Sequence, residues 1–289
     1  MEKNQNHSNL SSTEVQSKRF FSNGTFEWTK NKSVVWSELD QFIEQHPARK
    51  KKVDLRVVQW TVAAVFLLLV GSTAFMRFYT QTLNTPVGKH LVYTLPDGST
   101  VQLNALSTLK YNPLWWRFER KMAFEGEGFF EVTKGRPFTV NSSLGTTRVL
   151  GTSFNIYSRD EVYRVTCITG KVKVTSKSND EVILSPNSKA IVNKVGTISL
   201  DKDIKPLPEI SWKNNIFLFT AIPVREVFKE IERQYGVTIN VQIPGNTLYT
   251  GNFSKNQHVE EILGYICPAL GYKFLQKSTT EYYIIPDQE

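Results

Sequence analysis

The chain has 289 residues, 40% hydrophobic, 12% aromatic and 21% charged, with two cysteines and a formal net charge of +8 at pH 7. That length suggests about two domains with cores of real size, and the composition excludes a disordered tail, a collagen-like fibre and a disulfide scaffold. A mean hydropathy of −0.30 excludes a polytopic membrane protein but not a single span, and the positive balance invites a nucleic-acid reading only if the charges cluster on a folded face.

Residues 1–24 are rich in Asn, Ser, Gln and Thr and read as mostly disordered. From Ser33 an apolar stripe begins: Val35, Leu39 and Phe42 at i, i+4, i+7, and Trp36, Leu39 and Ile43 at i, i+3, i+7. Ser33 suits an N-cap and His46-Pro47 a stop. A helix this short is marginal alone in water. With Phe26 and Trp28 just upstream, its stripe would suit a groove on a partner protein or the surface of the inner leaflet. No enzyme fits in these first 56 residues.

Residues 57–76 read VVQWTVAAVFLLLVGSTAFM, without a charge. A helix of this length spans about 30 Å, the thickness of a bilayer's hydrocarbon core. Trp60 lies near one end and Phe78 with Tyr79 just past the other, where interfacial aromatics collect. A buried core helix would carry a polar stripe, and a cleaved leader would start earlier and be shorter. Arg49, Lys50, Lys51, Lys52 and Arg56 precede the span against Asp54 alone, whereas Arg77 and Lys89 are the basic residues that follow it before the first expected strand. The positive-inside rule therefore places residues 1–56 in the cytoplasm and residues 77–289 outside the inner membrane. Half of the net charge sits in eight residues beside the membrane, which makes it a topology signal.

After a juxtamembrane stretch (77–88), residues 89–200 show short alternating runs separated by turn residues. HLVYTL, then Pro96-Asp97-Gly98, then STVQL is a hairpin signal. RFERKMAF, GFFEVT, PFTVN, TTRVLG, SFNIYS, YRVTCI, KVKVTS, EVILS and KAIVN follow. Such spacing predicts an all-β sandwich or a solenoid-like stack. Pro206 and Pro208 mark a linker over 201–211. Over 212–286 the periodicity switches to strands alternating with two helices. One opens at Pro223, with Val224, Val227, Phe228 and Ile231 on its apolar face and Gly236 as its stop. The other covers 258–270, with Val259, Ile262, Leu263 and Ile266 inward and Gly271 as its stop. The expectation is a small α+β (βαβ–βαβ) domain, helices on one face of a sheet.

LPDGSTVQLNALSTLKYN (95–112), FEGEGFFEVTKGRPFTVN (124–141) and RVLGTSFNIYS (148–158) resemble the FecR family of membrane anti-sigma factors. WKNNIFLF, VREVFKEIERQYGVTI and YTGNFS resemble the C-terminal domain of Bacteroidota-type members, itself similar to the short N-terminal domain of secretins and TonB-dependent receptors. The likeness covers residues 77–286. It agrees with the fold class read from the residues, a single-pass inner-membrane protein with an all-β periplasmic domain, a small α+β domain and a short helical cytoplasmic segment. It also implies that the signalling domain of a TonB-dependent outer-membrane receptor contacts the periplasmic part. The signal would then reach an extracytoplasmic-function sigma factor, often after regulated intramembrane proteolysis, and DNA contact would belong to sigma rather than to this chain. The departure is the head, shorter than in typical members, which leaves open whether it inhibits or co-activates sigma.

The residues offer no catalytic constellation. His7, His46, His90 and His258 never pair at metal-ligand spacing, so no metal or other cofactor is expected. GTSFN fails the nucleophile-elbow pattern, and Gly126 and Gly128 lie between strands without a following helix. Glu127 and Glu131 share a face at period 2, with Glu125, inside the β motif. Cys167 and Cys267 fall in different domains, where Cα atoms seldom approach within about 7 Å, so pairing is not expected. The site residues expected are therefore contacts. Phe26, Trp28, Val35, Trp36, Leu39, Phe42 and Ile43 are candidates for sigma, and Leu248, Tyr249, Thr250 and Phe253 for a receptor strand adding to a sheet edge, with the core as the alternative place for Phe253. The alternative is a membrane-tethered periplasmic module binding a protein or glycan, without a sigma partner.

Overall fold

The computed structural model describes residues 29–47, 54–241 and 247–287. It divides into two compact units, residues 1–65 and 66–289. The first holds helix α1 (Lys32–Gln45), all of whose side chains are solvent-exposed. Asn31, not Ser33, occupies the N-cap position, because the helix begins a residue earlier than the stripe, and His46 closes it. Helix α2 (Leu55–Phe78) extends the apolar run by about a residue pair at each end and buries none of its side chains in protein. It is the one helix among the described residues long and apolar enough to cross a membrane, which fits a single-pass membrane protein.

The second unit carries a β module that is antiparallel except for the parallel β5–β6 pair. Its first strands are β1 (Gln81–Asn84), β2 (Leu91–Thr94), β3 (Thr100–Leu103) and β4 (Thr108–Tyr111). The stretch expected as a juxtamembrane linker thus already contains a strand, since Leu83 packs against the core while β1 pairs with β4. RFERKMAF and GFFEVT, expected as two strands, form most of one, the 12-residue β5 (Arg120–Glu131). Its first half pairs with β4 and β6 (Phe138–Asn141), its second half with β3 and β8 (Ser153–Arg159). The crossover lies at Gly126, whose φ of +121° is poorly accessible to other residues and whose Cβ would stand 2.6 Å from the Ser107 Cα. The strand turns the corner there, between the two layers of a sandwich.

One layer continues from β6 through β7 (Gly145–Val149) and β10 (Val172–Ser176) to β11 (Glu181–Leu184). The other continues from β8 through β9 (Val162–Thr169) and β12 (Ser188–Val192) to β13 (Ile198–Asp201). Alternation sends Leu103, Leu109, Phe124, Phe130, Phe138, Phe154, Val165 and Val174 into a shared core, where Phe130 stacks on Phe154 at 5.1 Å. Each such side chain contributes about 2 kcal/mol by leaving water.

The expected 201–211 linker carries a one-turn helix, α3 (Leu207–Ile210), and runs into a 3₁₀ turn (Ser211–Asn214). The C-terminal module follows: β14 (Ile216–Pro223), α4 (Val224–Tyr235), β15 (Thr238–Val241), β16 (Leu248–Ser254), α5 (Val259–Ala269), β17 (Tyr272–Ser278) and β18 (Glu281–Pro286). Its strands form two small sheets, β14–β16 and β15–β18–β17, rather than the single sheet expected. The helices fill the space between with Val227, Phe228, Ile231, Ile262, Leu263 and Ile266. Phe129 of β5 joins this second core, so the two modules share apolar contact. Cys167 and Cys267 are free and buried, one in each core, and burial pushes their thiols up to about 11 and about 12.

Candidate functional site

Three places in the chain combine geometry with unused binding capacity. The first is α1. Val35, Trp36, Leu39, Phe42 and Ile43 fall within one arc of about 120° at 100° per residue, and all are exposed, Phe42 to 62% and Trp36 to 57%. Nothing among the described residues of the first unit covers this arc. Phe26 and Trp28, expected to extend it, lie outside the described residues, as do Arg49, Lys50, Lys51 and Lys52. Arg56 is on the first turn of α2, exposed, its amide donating to Asp54 Oδ1 at 3.0 Å.

The second is the joint where α2 meets the β module. The side-chain amide of Asn112 donates to the carbonyls of Met76 (2.8 Å) and Arg77 (2.9 Å), two of the orphan acceptors at the end of the helix. Its oxygen accepts from the Trp115 amide at 2.9 Å, which folds the β4–β5 loop against the same turn. The Arg77 guanidinium lies 5.6 Å from the Trp115 ring centroid. Trp116, 2% exposed, fixes the loop to the core between Tyr111 and Phe138.

The third is a polar seam between the modules. Helix α4 turns its apolar side to the C-terminal core, yet Glu230 and Gln234 on its polar side are also buried, 5% and 3% exposed, against the outer face of β5, β8 and β9. The Asn104 amide donates to Glu127 Oε2 (2.8 Å) and Glu230 Oε1 (3.2 Å), while Gln234 donates to Asn104 Oδ1 and Glu230 Oε1, each at 2.8 Å. Burial and the facing Glu230 push the Glu127 carboxyl up to about 7, against the opposing pull of Arg159. Beside this pair, Arg164 lies 4.1 Å from the Tyr157 ring centroid and donates to Glu226. Arg233 Nε donates to Glu230 at 2.9 Å, and Lys229 reaches Asp160 at 2.6 Å. At the helix end, the Gly88 amide donates to the Arg233 carbonyl at 2.9 Å. A side chain at Gly88 would strike Gln234 O at 2.4 Å. Tyr157, Arg164, Trp212, Phe217, Glu226 and Arg233 help to line a cavity of about 420 Å³ along the seam.

Of the expected receptor contacts, Phe253 is a correction. It is 2% exposed and stacks on Phe217 at 4.8 Å, because the inward side of β16 closes the second core. Leu248 and Thr250 are exposed and Tyr249 is half-buried, on a strand paired to β14 alone among the described residues. The carboxylates set aside at the sequence level diverge. Glu125 accepts from Ser143 and Ser158, Glu127 enters the seam, and Glu131 is exposed.

Comparison with known proteins accounts for both modules. Residues 81–173 match the FecR protein family, and residues 216–284 match the FecR C-terminal family, together more than half of the chain. The chain belongs to the FecR family. Two crystal structures of a candidate anti-sigma factor from Parabacteroides distasonis ATCC 8503, at 1.65 Å and 2.50 Å resolution, superpose with TM-scores of 0.66 and 0.67. Each is 27% identical and covers 72% and 73% of this chain and all of its own length. No curated protein matches the chain. The FecR match ends inside β10 and the C-terminal match begins with β14. The seam therefore joins the FecR module to the FecR C-terminal module, and its polar residues come from both.

Proposed function

We propose that this FecR protein is an inner-membrane anti-sigma factor that relays a signal from a TonB-dependent outer-membrane receptor to an extracytoplasmic-function sigma factor. The observation that carries the proposal is the uncovered arc of α1 in a chain whose other part is a FecR body. A helix of this length lacks the contacts to hold itself in water, so its apolar side is built for a partner. The likeness to a candidate anti-sigma factor supports sigma as that partner. The basic flank at 49–56 supports a cytoplasmic N-terminus, with the FecR body in the periplasm. Sigma would bind Val35, Trp36, Leu39, Phe42 and Ile43, with Phe26 and Trp28. The receptor's signalling domain would add a strand beside Leu248, Tyr249 and Thr250. The chain itself would not touch DNA, and intramembrane proteases would act on the span.

The test is co-purification of the full chain with the sigma factor encoded beside it, compared with Trp36→Asp and Phe42→Asp. Capture by the parent and loss in both variants is the expected result. Equal recovery of sigma with all three chains, or none with the parent, refutes the assignment of α1.

A further inference from the structure

We infer that the β4–β5 loop and the basic face beside it bind the anionic phospholipid headgroups of the membrane that α2 crosses. The inference rests on the reading of α2 as a span. Asn112 and Arg77 hold this loop on the last turn of that helix, so its tip sits where the span leaves the hydrocarbon. At that tip Phe118 is 60% and Leu114 40% exposed, while Trp115 packs on Phe118 at 4.7 Å. Large apolar side chains displayed on a loop are costly in water and stable at the headgroup boundary.

The surface next to the tip has the complementary charge. A shallow cavity of about 350 Å³ opens beside Phe118, with Lys121, Arg136 and Arg148 on its walls and Glu119 as its one acidic side chain. Register places these cations by design of the sheet: Lys121 lies opposite Thr139, Thr139 opposite Arg148, and Arg148 opposite Lys173, a row across β5, β6, β7 and β10. Arg136 also donates to the Arg117 and Phe118 carbonyls, which fixes the tip to the wall of the cavity. Arg148 is exposed on the outer side of β7. Apolar side chains next to a cationic hollow, at the mouth of a span, match a phosphate-bearing lipid. Acyl chains would meet Leu114 and Phe118 while the phosphate meets Lys121 and Arg148. The consequence is that the β4–β5 end of the β module is held at the level of the headgroups.

The experiment uses the full chain in nanodiscs of phosphatidylcholine alone or mixed with phosphatidylglycerol. An environment-sensitive fluorophore is placed at Phe118→Cys, the native thiols being buried, and lipid-borne nitroxides report its depth. Co-elution with the disc scores insertion of α2 separately; without it the spanning reading fails, and this inference with it. For the inserted chain, strong quenching in phosphatidylglycerol discs is expected, with none at the control Val195→Cys, a position 82% exposed. Adding Arg148→Gln should cut the embedded fraction relative to the exposed about fivefold. A label that stays wet in both discs overturns the inference. So does equal quenching in both discs that Arg148→Gln leaves unchanged, since that is apolar insertion without headgroup recognition. Loss of quenching on adding inorganic phosphate would assign the cavity to a soluble anion instead.

Discussion

Helices α1 and α4 have nearly the same length, and the chain treats them in opposite ways. On α1 the apolar arc lies bare, and its polar side is bare too. On α4 both sides are covered: Val227, Phe228 and Ile231 by the C-terminal core, Glu230 and Gln234 by the β module. On the proposal above, the apolar arc of α1 waits for a partner. A covered polar side has its partner already in place, held by directed hydrogen bonds and charge rather than by nonspecific burial. Such contacts cost desolvation and repay it only in one geometry. The seam is therefore suited to hold the two FecR modules in one arrangement and to release them when a single pairing is broken.

The largest effect should come from Glu226. Truncation in Glu226→Ala strips Arg164, 12% exposed at its side chain, of the stronger of the two carboxylates, Glu226 and Glu209, that offset its burial. Breaking a pair of this kind costs about 3–5 kcal/mol. Amide hydrogen exchange in α4 of the full chain should accelerate correspondingly, while β5 and β8 stay protected. Arg164→Met together with Glu226→Ala should recover part of the loss, because no charge is then stranded. Unchanged exchange in the single variant would mean that the apolar contact at Phe129, and not the polar seam, holds the helix.

Glu127 makes the same seam sensitive to pH. Its carboxyl is raised from 4.5 to about 7 in the folded chain by burial and by Glu230, so the folded state binds a proton that the unfolded state has released. The stabilisation is complete below the unfolded value and is lost as pH rises through about 7. Glu127→Gln cannot titrate and keeps one oxygen to accept from Asn104 or Asn155, while its NH2 faces the other donor. Unfolding midpoints followed between these two values should decline with pH for the parent and stay level for the variant. A parallel decline in both would locate the titration at another group of the seam; Asp160 and the half-buried His90, both lowered in the folded chain, would instead make stability rise with pH.

How these features stand in the sequence differs with their physics. The span and the apolar side of α4 are legible because apolar periodicity depends on neighbours in the chain. The strands were legible too, but not that RFERKMAF and GFFEVT are continuous. Gly126 between two glutamates reads as a break, whereas its positive φ lets a single strand pass from one layer to the other. The polar side of α4 was not legible. Charges at that spacing suit solvent equally well, and only the fold brings Asn104 to Glu230, 126 residues away. Asn112 was hidden likewise, since its partners are helix carbonyls 35 and 36 residues earlier. Phe253 stays open between core and edge in the sequence because a strand's two faces look alike when both carry aromatics, and its 2% exposure decides for the core.

On α1 the comparison predicts a loss without instability. Trp36→Ala should weaken sigma capture by about 2 kcal/mol, roughly thirtyfold, if Trp36 is an anchor of that interface. The melting temperature of the FecR body should not move, because the side chain is 57% exposed and supports no core. A drop in melting temperature with unchanged capture would reverse the roles given to α1 and α4.

The smallest effect should lie at the rim of the seam, and it tests whether burial rather than charge count holds α4. Lys229 and Asp160 approach to 2.6 Å, closer than many buried pairs, but their side chains are 47% and 34% exposed. Burial works against ionisation of Asp160, yet the hydrogen bond from Lys229 and the charge of Arg233 outweigh it and keep the carboxyl below its usual value. What the pair contributes is thus present at neutral pH and lost only as pH falls through the folded value. Water screens it, so Lys229→Ala should cost less than about 1 kcal/mol and less still at high salt. Arg233, at 3.4 Å, also keeps Asp160 partnered in the variant. An exchange rate in α4 as fast as that of Glu226→Ala would show that distance alone, and not desolvation, sets the strength of these contacts.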